Sequence, residues 1–437
     1  MQRTCYSVTY YSMLPRSRTF APCISLLRLI FTKIEKEIEM KKQFIVKKLS
    51  LFALCACMVA VSCKSSDTDN TRTINLPEAL DNIGLVNISE VAKSIRYIPL
   101  ETRDDALIGE YPRIAYDGKH IIVADMQTNI IRVFDSEGRF IRNINRVGRG
   151  PEEFSFLIDK LSLVDGNIVV MGSQYLVEYS ISNTFIRKVT APTVEGHRVG
   201  ETMMIGENRY AASLVNNTSA NKEYCAVVYD SLLNIHQLIA APVNSEAQAV
   251  LSGGAEGMRI IMPTKLFQYD GTLRVFYPDA KEILSIGSAT ALDTAFVVEY
   301  GGYRAPGGNT GALRDSRYVS PLSFLETEGY LFMRVNTRGT ITTSGSGFMN
   351  FLFNKKTGKS AVLYDKVEDR RGFKDDIAHG PEFWPTSVFG KEALLSSISA
   401  LSLIEFSESH SLSKDLEKMV ATIDENSNPV MVIVELK

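Results

Sequence analysis

Two short stretches concentrate the side chains with which this chain could bind or transform a ligand. The first is VGRGPEEF, residues 147–154, in which two glycines allow unusual backbone angles and a proline stiffens the exit. Arg149 and Glu152 project from this constrained segment and could grip a sugar or a peptide. The alternative is a structural connector, in which the glycines serve the turn and the charges face solvent.

The second stretch is KDDIAHGPEFWP, residues 374–385, which combines Asp375, Asp376 and His379 with the only tryptophan, Trp384. Acid–imidazole clusters bind metals or do acid–base work, and an indole offers a stacking face to a sugar ring. A metal site needs ligands from several elements, and one loop rarely supplies them all. We therefore expect no metal and no other cofactor, and we interpret the loop as a candidate binding site.

Composition and motifs exclude several functional classes. The chain contains 48 Lys and Arg against 50 Asp and Glu, with a formal net charge of −2, so nothing predicts a nucleic-acid partner. Its five histidines form neither H-x-H nor H-E-x-x-H. No G-x-S-x-G, phosphate loop or dinucleotide fingerprint is present. We therefore assign no catalytic residue.

One cysteine stands at the border between an apolar and a polar stretch and indicates the destination of the protein. Lysines after Met40 precede an apolar run over 49–61, which is followed closely by Cys63. A basic region and an apolar region of about 7–15 residues form an export signal, too short to span a bilayer. The border resembles a bacterial lipobox, although Ala60 stands where leucine is usual. We interpret Cys63 as the lipid attachment site, with an ordinary secretory signal as the alternative.

This interpretation divides the chain into four parts. Residues 1–39 have no role in export. We interpret them as an artefact of a start codon that was assigned too far upstream. Residues 40–62 form the lipoprotein signal peptide, and 63–87 form the lipidated cysteine and a flexible tether. Residues 88–437 form the folded body. The expected location is the outer membrane, on the periplasmic side or the cell surface, with the lipid anchor as the membrane contact.

The body contains a degenerate repeat whose units begin with a tight turn followed by short apolar runs. The turns that open the units are Asp117-Gly118, Asp165-Gly166, Glu207-Asn208, Asp270-Gly271 and Glu328-Gly329, with a sixth, weaker unit near 387. Such dipeptides between β-rich runs indicate hairpins. Four short strands per unit, at a period of about 40–65 residues, predict an all-β fold, a six-bladed β-propeller. An array of β-sandwiches is the alternative.

Both ends of the chain are predicted to close the ring. An open propeller has two raw sheet edges, and closure removes them. We predict that the sixth blade combines strands from both termini, with SIRYIPLE (94–101) beside PVMVIVEL (429–436). One segment departs from the β pattern, because the apolar residues of 412–423 fall on one helical face behind a capping Ser413. It predicts one short helix.

Four motifs carry a resemblance to a known family. They are IRYIPLETRDDALIGEYPRI, VFDSEGRFIRNINRVGRGPEEF, GFKDDIAHGPEFWP and NPVMVIVELK. They resemble the six-bladed β-propeller lipoproteins of Bacteroides and relatives, which are similar to NHL-type propellers, and the resemblance runs from about residue 88 to the C-terminus. Most members lack an assigned activity. The resemblance therefore implies a shape and a location, and little chemistry.

These observations predict a lipid-anchored envelope propeller that binds a ligand on its central face without catalysis. The ligand classes are a glycan, a peptide or an envelope protein. The candidate ligand-binding residues are Arg149, Glu152, Asp375, Asp376, His379 and Trp384. The alternative function is a polysaccharide lyase or glycoside hydrolase, which would need carboxylate, tyrosine or histidine side chains from several blades to meet at the propeller centre.

The anchor assignment is testable by metabolic labelling with a fatty-acid analogue. We expect Cys63→Ala to abolish the label, because the cysteine thiol is the acylated group. Cys225→Ala is the matched control and should keep the label, since Cys225 lies in the folded body. Label that persists on Cys63→Ala would defeat the assignment.

Overall fold

The structure, a computed structural model, describes the chain from residue 72 to its C-terminus with internal gaps. The described ranges are 72–109, 112–155, 160–172, 174–206, 208–216, 224–242, 264–277, 280–287, 291–303, 319–336, 347–391 and 393–437. The predictions for Cys63, for the signal peptide and for residues 1–39 lie outside these ranges. No helix in the described ranges combines the length and apolarity needed to cross a bilayer.

Short strands dominate the described chain, with a few helices. In chain order the elements are β1 (Thr73–Asn75), α1 (Leu76–Asp81), β2 (Val86–Asn87), α2 (Ile88–Val91), β3 (Ala92–Pro99), β4 (Arg113–Tyr116), β5 (His120–Asp125), β6 (Ile130–Asp135), β7 (Phe140–Ile144), β8 (Lys160–Val164), β9 (Asn167–Met171), β10 (Tyr175–Ser180), β11 (Phe185–Thr190), β12 (His197–Gly206), β13 (Arg209–Asn216), β14 (Tyr224–Tyr229), β15 (Ile235–Ala240), β16 (Lys265–Tyr269), β17 (Thr272–Phe276), β18 (Glu282–Ile286), β19 (Leu292–Glu299), a 3₁₀ turn (Gly301–Tyr303), β20 (Ser320–Glu326), β21 (Tyr330–Asn336), β22 (Phe348–Asn354), β23 (Ser360–Val362), β24 (Tyr364–Asp365), β25 (Arg370–Arg371), β26 (Phe373–Lys374), β27 (Ser387–Phe389), β28 (Ala393–Ile398), α3 (Ala400–Ser409), α4 (Lys414–Val420) and β29 (Val430–Leu436).

The strands form a six-bladed β-propeller, as predicted. From the innermost strand outward, the blades are β4–β7, β8–β11, β12–β15, β16–β19, β20–β23, and β27, β28, β29 with β3; we number them 1 to 6 in this order. Neighbouring strands among these four of each blade are antiparallel. Apolar side chains from facing blades build the core between them.

The tight turns that the sequence marks join the first and second strands of the blades. At two of them both central residues have positive φ, 50° and 76° at Asp165-Gly166 and 50° and 69° at Asp270-Gly271. That pair of left-handed residues is typical of a type I′ turn, which matches the twist of the flanking strands. The hairpin prediction is confirmed at these turns.

The ring closes through strands from both ends of the chain, as predicted. Strand β3 pairs with β29 in antiparallel register, with Ile98 opposite Met431 and Ile95 opposite Val434. On the inner side, the Ser387 hydroxyl of blade 6 donates to the Ile114 carbonyl of blade 1 at 3.0 Å. Strands from both ends of the chain therefore complete blade 6, and a hydrogen bond between inner strands joins it to blade 1.

The expected tether over 63–87 is wrong in its C-terminal part. Strand β1 pairs in parallel with β19 as a fifth strand of blade 4, and α1 follows it directly. Leu76 is fully buried, and the Asn75 side chain caps α1 by accepting from the Glu78 N–H at 3.0 Å. The apolar side chains of this segment cover a sheet edge, which a polar tether could not do. The folded body therefore begins near residue 73.

The helices lie mainly in one insertion, α3 and α4 between β28 and β29 of blade 6. Helix α4 falls within the predicted 412–423, and the Ser413 hydroxyl caps it by accepting from the Leu416 N–H at 3.3 Å. Helix α3 was not predicted, and its Leu403 packs with Leu416 against Val430. The insertion is therefore anchored to the strand that closes the ring.

Successive strands of a blade run in opposite directions, so the connections between strands lie on two opposite faces of the propeller. The links between blades and the loops between second and third strands lie at one end of every blade, and the remaining turns lie at the other end. We call the first end the connection face. Both stretches that the sequence marks as candidate sites, 147–154 and 374–385, are links between blades.

Because β29 closes the ring, we expect its buried side chains to contribute strongly to stability. We expect Ile433→Ala to lower the free energy of unfolding by about 2–5 kcal/mol, because the side chain is 1 % exposed and a cavity would remain. The matched control is Ile141→Ala in the outer strand of blade 1, where the side chain is 38 % exposed and the change should stay within about 0.5 kcal/mol. Urea unfolding measures both, and equal effects would contradict the role of β29.

Candidate functional site

Asp375 holds the link between blades 5 and 6 in shape. The residue is 3 % exposed, and its carboxylate accepts from the backbone N–H groups of Ile377, Ala378 and Gly380 at 2.8–3.0 Å. It also accepts from the Tyr97 hydroxyl at 2.9 Å, which ties the link to the outer strand of blade 6. Every oxygen of this carboxylate is engaged, so Asp375 stabilises the loop.

Asp376 has a similar structural contact, and His379 does not join it. Partial burial would raise the pKa of Asp376, but hydrogen bonds from the Ser89 hydroxyl (2.5 Å) and Ser89 N–H (2.9 Å) outweigh it and hold the pKa below its usual range. His379 is exposed and has a left-handed backbone with φ 57°. The acid–imidazole pattern of the sequence is therefore a folded turn, whose acids face the backbone.

Trp384 lies further along the same link and packs into the interface between blades 5 and 6. Its ring stacks on Phe373 at 6.3 Å and meets Phe332 edge-on at 5.7 Å. The residue is only partly buried. Trp384 thus supports the surface of blade 5 that carries Phe332, close to the connection face.

The link 147–154 lies against the outer half of blade 2. The Tyr179 hydroxyl donates to the Glu152 carbonyl at 2.6 Å, and the Lys188 ammonium donates to the Glu153 carbonyl at 2.8 Å. The Glu152 carboxylate forms an exposed ion pair with Arg146 at 3.3 Å. Arg149 is exposed. These contacts hold the loop as a connector between blades 1 and 2.

The structure does not bring the two predicted loops together. They connect blades 1 and 2 and blades 5 and 6, so blade 6 and blade 1 stand between them. In the described ranges no hydrogen bond, ion pair or ring contact joins one loop to the other. No group of three metal-binding side chains occurs in these ranges either. The six nominated residues therefore do not form one pocket.

The inner strands carry a polar contact near the channel that is internally satisfied. Lys160 of β8 pairs with Glu201 of β12 at 3.2 Å, and Glu201 accepts from the Leu266 N–H of β16 at 2.7 Å. Lys160 also donates to the Leu266 carbonyl. The inner edge of a blade exposes unpaired backbone groups, and these two side chains cover such groups. The pair fastens three blades and leaves neither of its own charges free.

A different group of polar side chains has no partner among the described residues, on the face of blade 5 that looks toward blade 6. Ser323 of β20 stands opposite Arg334 of β21, and Arg334 stands opposite Asn350 of β22. Directly opposed residues project to the same side of a sheet. Phe348 is two residues before Asn350 and shares that side. We call these four residues, Ser323, Arg334, Phe348 and Asn350, the Arg334 surface.

The Arg334 surface lies near the connection face and close to the channel. Arg334 is two residues before Asn336, the last residue of β21, and this strand runs from a turn of the opposite face toward the connection face. Ser323 belongs to an inner strand. Phe332 lies two residues before Arg334 on the same side, so Trp384 packs directly beneath the surface.

Arg334 is a cation without a counterion in the described ranges. The guanidinium lies over the Phe348 ring at 5.1 Å from its centre, and Phe348 is 38 % exposed. Partial burial lowers the pKa of Arg334, and the nearby charge of Arg371 lowers it further. In the neighbouring hairpin, Glu368 pairs with Arg370 at 2.5 Å and Asp369 with Arg371 at 2.8 Å. The Asp365 carboxylate there accepts from the Val367 and Glu368 N–H groups.

Asn350 and Ser323 are the other two polar residues of the Arg334 surface, and with Arg334 they form a row across three strands. Asn350 is 6 % exposed, yet within the described part of the chain its side-chain amide makes no hydrogen bond. The exposed Ser323 hydroxyl also makes no hydrogen bond within the described part of the chain. The Asn350 amide atoms are not fully enclosed, so they are open to water or to a ligand. Sequence reasoning missed these residues, because only strand register places them in one row.

The chain matches one family across nearly the whole described body. A family model described as a domain of unknown function, DUF4934, matches residues 71–435. The chain belongs to the DUF4934 family. The match begins two residues before β1, in agreement with the corrected start of the folded body, and ends within β29. No curated protein matches the chain.

Solved structures support the fold of this DUF4934 protein. A candidate exported protein from Bacteroides fragilis is 16 % identical, with a TM-score of 0.62, covering 84 % of this chain and 99 % of that one. A DUF4221 member from Bacteroides vulgatus is 12 % identical (TM-score 0.46, 79 % and 97 % covered). A streptogramin B lyase is also 12 % identical (TM-score 0.36, 79 % and 98 % covered). At these identities the first likeness concerns the fold alone, and the other two carry no argument.

The contacts of Asp375 predict a structural effect of its removal. We expect Asp375→Ala to lower the free energy of unfolding by roughly 3 kcal/mol, because each buried donor left unpaired costs about 1–3 kcal/mol. Asp104→Ala is the matched control on an exposed loop and should change stability by less than about 0.5 kcal/mol. Thermal or urea unfolding measures both. Wild-type stability in Asp375→Ala would show that the carboxylate is free for a ligand.

Proposed function

We propose that this DUF4934 protein is a lipid-anchored envelope protein that binds a ligand at the connection face of its propeller, without catalysis. The ligand classes are a glycan, a peptide or an envelope protein. The observation that carries the proposal is the Arg334 surface, where three polar side chains have no partner among the described residues. Ligand sites commonly combine a few convergent polar groups with aromatic side chains, as Arg334 and Phe348 do here.

The proposed location rests on the sequence. The basic and apolar regions that end at Cys63 support export and acylation. The similar structure from Bacteroides fragilis is described as that of a candidate exported protein, which agrees with this placement. The outer membrane is the proposed site of the anchor, with the propeller held at the periplasmic side or the cell surface.

The neighbourhood of the Arg334 surface supports binding over hydrolysis. Glycoside hydrolases need two carboxyl groups about 5–9.5 Å apart, one of which is free to transfer a proton. Around this surface, the acids in the described ranges are engaged: Glu382 pairs with Arg370 at 3.0 Å, and Asp375 accepts four hydrogen bonds. A charged side chain beside an aromatic ring can hold a ligand without changing it.

An array experiment tests the proposal. The purified full-length chain is applied to glycans and peptides, bound ligands are quantified, and each is recovered for product analysis. We expect at least one ligand to bind and to be recovered unchanged. Ser323→Trp should lower its affinity at least tenfold, because an indole at the inner end of the row would occupy the Arg334 surface.

Ser231→Trp is the matched control, since Ser231 is exposed in a turn of the opposite face. This variant should bind as the wild type does. Shortened or unsaturated products would instead support the lyase or hydrolase alternative. Undiminished binding by Ser323→Trp would move the site away from blade 5.

A further inference from the structure

We infer that the Arg334 surface recognises a saccharide that carries a carboxylate, with Arg334 binding the carboxylate and the flanking Ser323 and Asn350 binding hydroxyl groups. This inference rests on the proposed binding function and names its ligand class.

The first step is charge. Among the described residues Arg334 has no acidic partner, and its guanidinium lies over the Phe348 ring instead. Arg371, itself paired with Asp369, is a like charge near enough to act on it electrostatically. A guanidinium presents a planar fork of donors that matches a carboxylate in bidentate geometry. An anionic group bound there would offset the repulsion between the two arginines. A neutral ligand would not offset this repulsion.

The second step is the arrangement of donors and acceptors. The row crosses three neighbouring strands, so its ends lie two strand spacings apart, roughly 9.5 Å. The central group is a cation that can only donate, whereas the outer groups, a hydroxyl and an amide, can both donate and accept. Sugar hydroxyls also donate and accept. A carboxylate flanked by hydroxyl groups is therefore the complementary pattern.

The third step favours a saccharide over a peptide. Extended peptides bind to sheets by adding a strand at a free edge. Strand β21 is paired on both sides, and on the outer side of β22 the Asn350 carbonyl already accepts from the Leu363 N–H at 2.9 Å. No free backbone edge is therefore available beside Arg334, and the Asn350 carbonyl is occupied. Recognition at the row is left to side chains. Saccharides are bound in this way, through hydroxyl groups and contacts with exposed rings such as Phe348.

Paired probes test the inference. The full-length chain is titrated calorimetrically with oligosaccharides that contain galacturonate, glucuronate or sialate, and with the carboxyl-reduced, neutral form of each. We expect at least one acidic probe to bind tenfold or more tightly than its neutral form, as loss of a charge-assisted bidentate contact implies. Peptides with a free C-terminal carboxylate form a further arm.

Arg334→Gln should abolish the preference for the acidic probe and keep the weak binding of the neutral one. Arg334→Lys should keep part of the preference, since the charge remains and the planar fork is lost. Arg139→Gln is the matched control, with a side chain 74 % exposed in a turn of the opposite face. Unchanged melting temperatures for all three variants would show that each is folded.

The outcomes separate this inference from the proposed function. Equal binding of acidic and neutral forms in every pair would overturn the inference, while saccharide binding itself would remain. An acidic preference that survives in Arg334→Gln would overturn the assignment of Arg334. Binding of peptides in place of saccharides would overturn the ligand class. If no probe binds, and the array of glycans and peptides also yields no ligand, the proposed function is wrong.

Discussion

The pairing of β3 with β29 is the constraint on which the rest of this structure depends. A blade buries both of its faces against neighbours, so blades 1 and 6 are stable only when the ring is closed. Closure requires residues 92–99 and 430–436, at opposite ends of the body, to form one ladder. The strand that closes the ring also supports α3 and α4 through Val430, and its partner β3 carries Tyr97, which holds Asp375. The connection face of blade 6 is therefore built on the closure itself.

Ion pairs fasten the blades, and they explain why many charged side chains are unavailable to a ligand. Glu326 is 1 % exposed at the interface of blades 4 and 5, where it accepts from Arg274 at 2.8 Å and from Lys355 at 2.9 Å. In blade 2, Glu178 pairs with Arg187 at 2.6 Å. Breaking a buried pair leaves an uncompensated charge, so such groups are fixed in place by the fold.

The sequence predicts the fold well and the candidate site poorly, for physical reasons. Asp-Gly turns and a capped helical face are local signals, and both correspond to hairpins and to α4 in the structure. Strand β1 has three residues, and its partner β19 lies more than two hundred residues away, so no local pattern indicates it. In the 374–385 loop, an aspartate that starts a turn ending at Gly380 is a signal for backbone capping, which favours the structural interpretation of Asp375. The row of Ser323, Arg334 and Asn350 depends on register across two hairpins, which composition does not reveal.

A comparison of two arginines shows why the Arg334 surface stands out. Arg274 and Arg334 occupy the second strands of adjacent blades, and both point into a blade interface. Arg274 donates two hydrogen bonds to the Glu326 carboxylate, at 2.8 and 3.2 Å, and a third to the Ser285 hydroxyl. Arg334 meets an aromatic ring and a like charge, and the described ranges offer it no acid. A guanidinium needs no ligand where the protein supplies the carboxylate, as blade 5 does for Arg274. For Arg334, at a partly exposed position, the described ranges supply no carboxylate, and we infer that a ligand brings one.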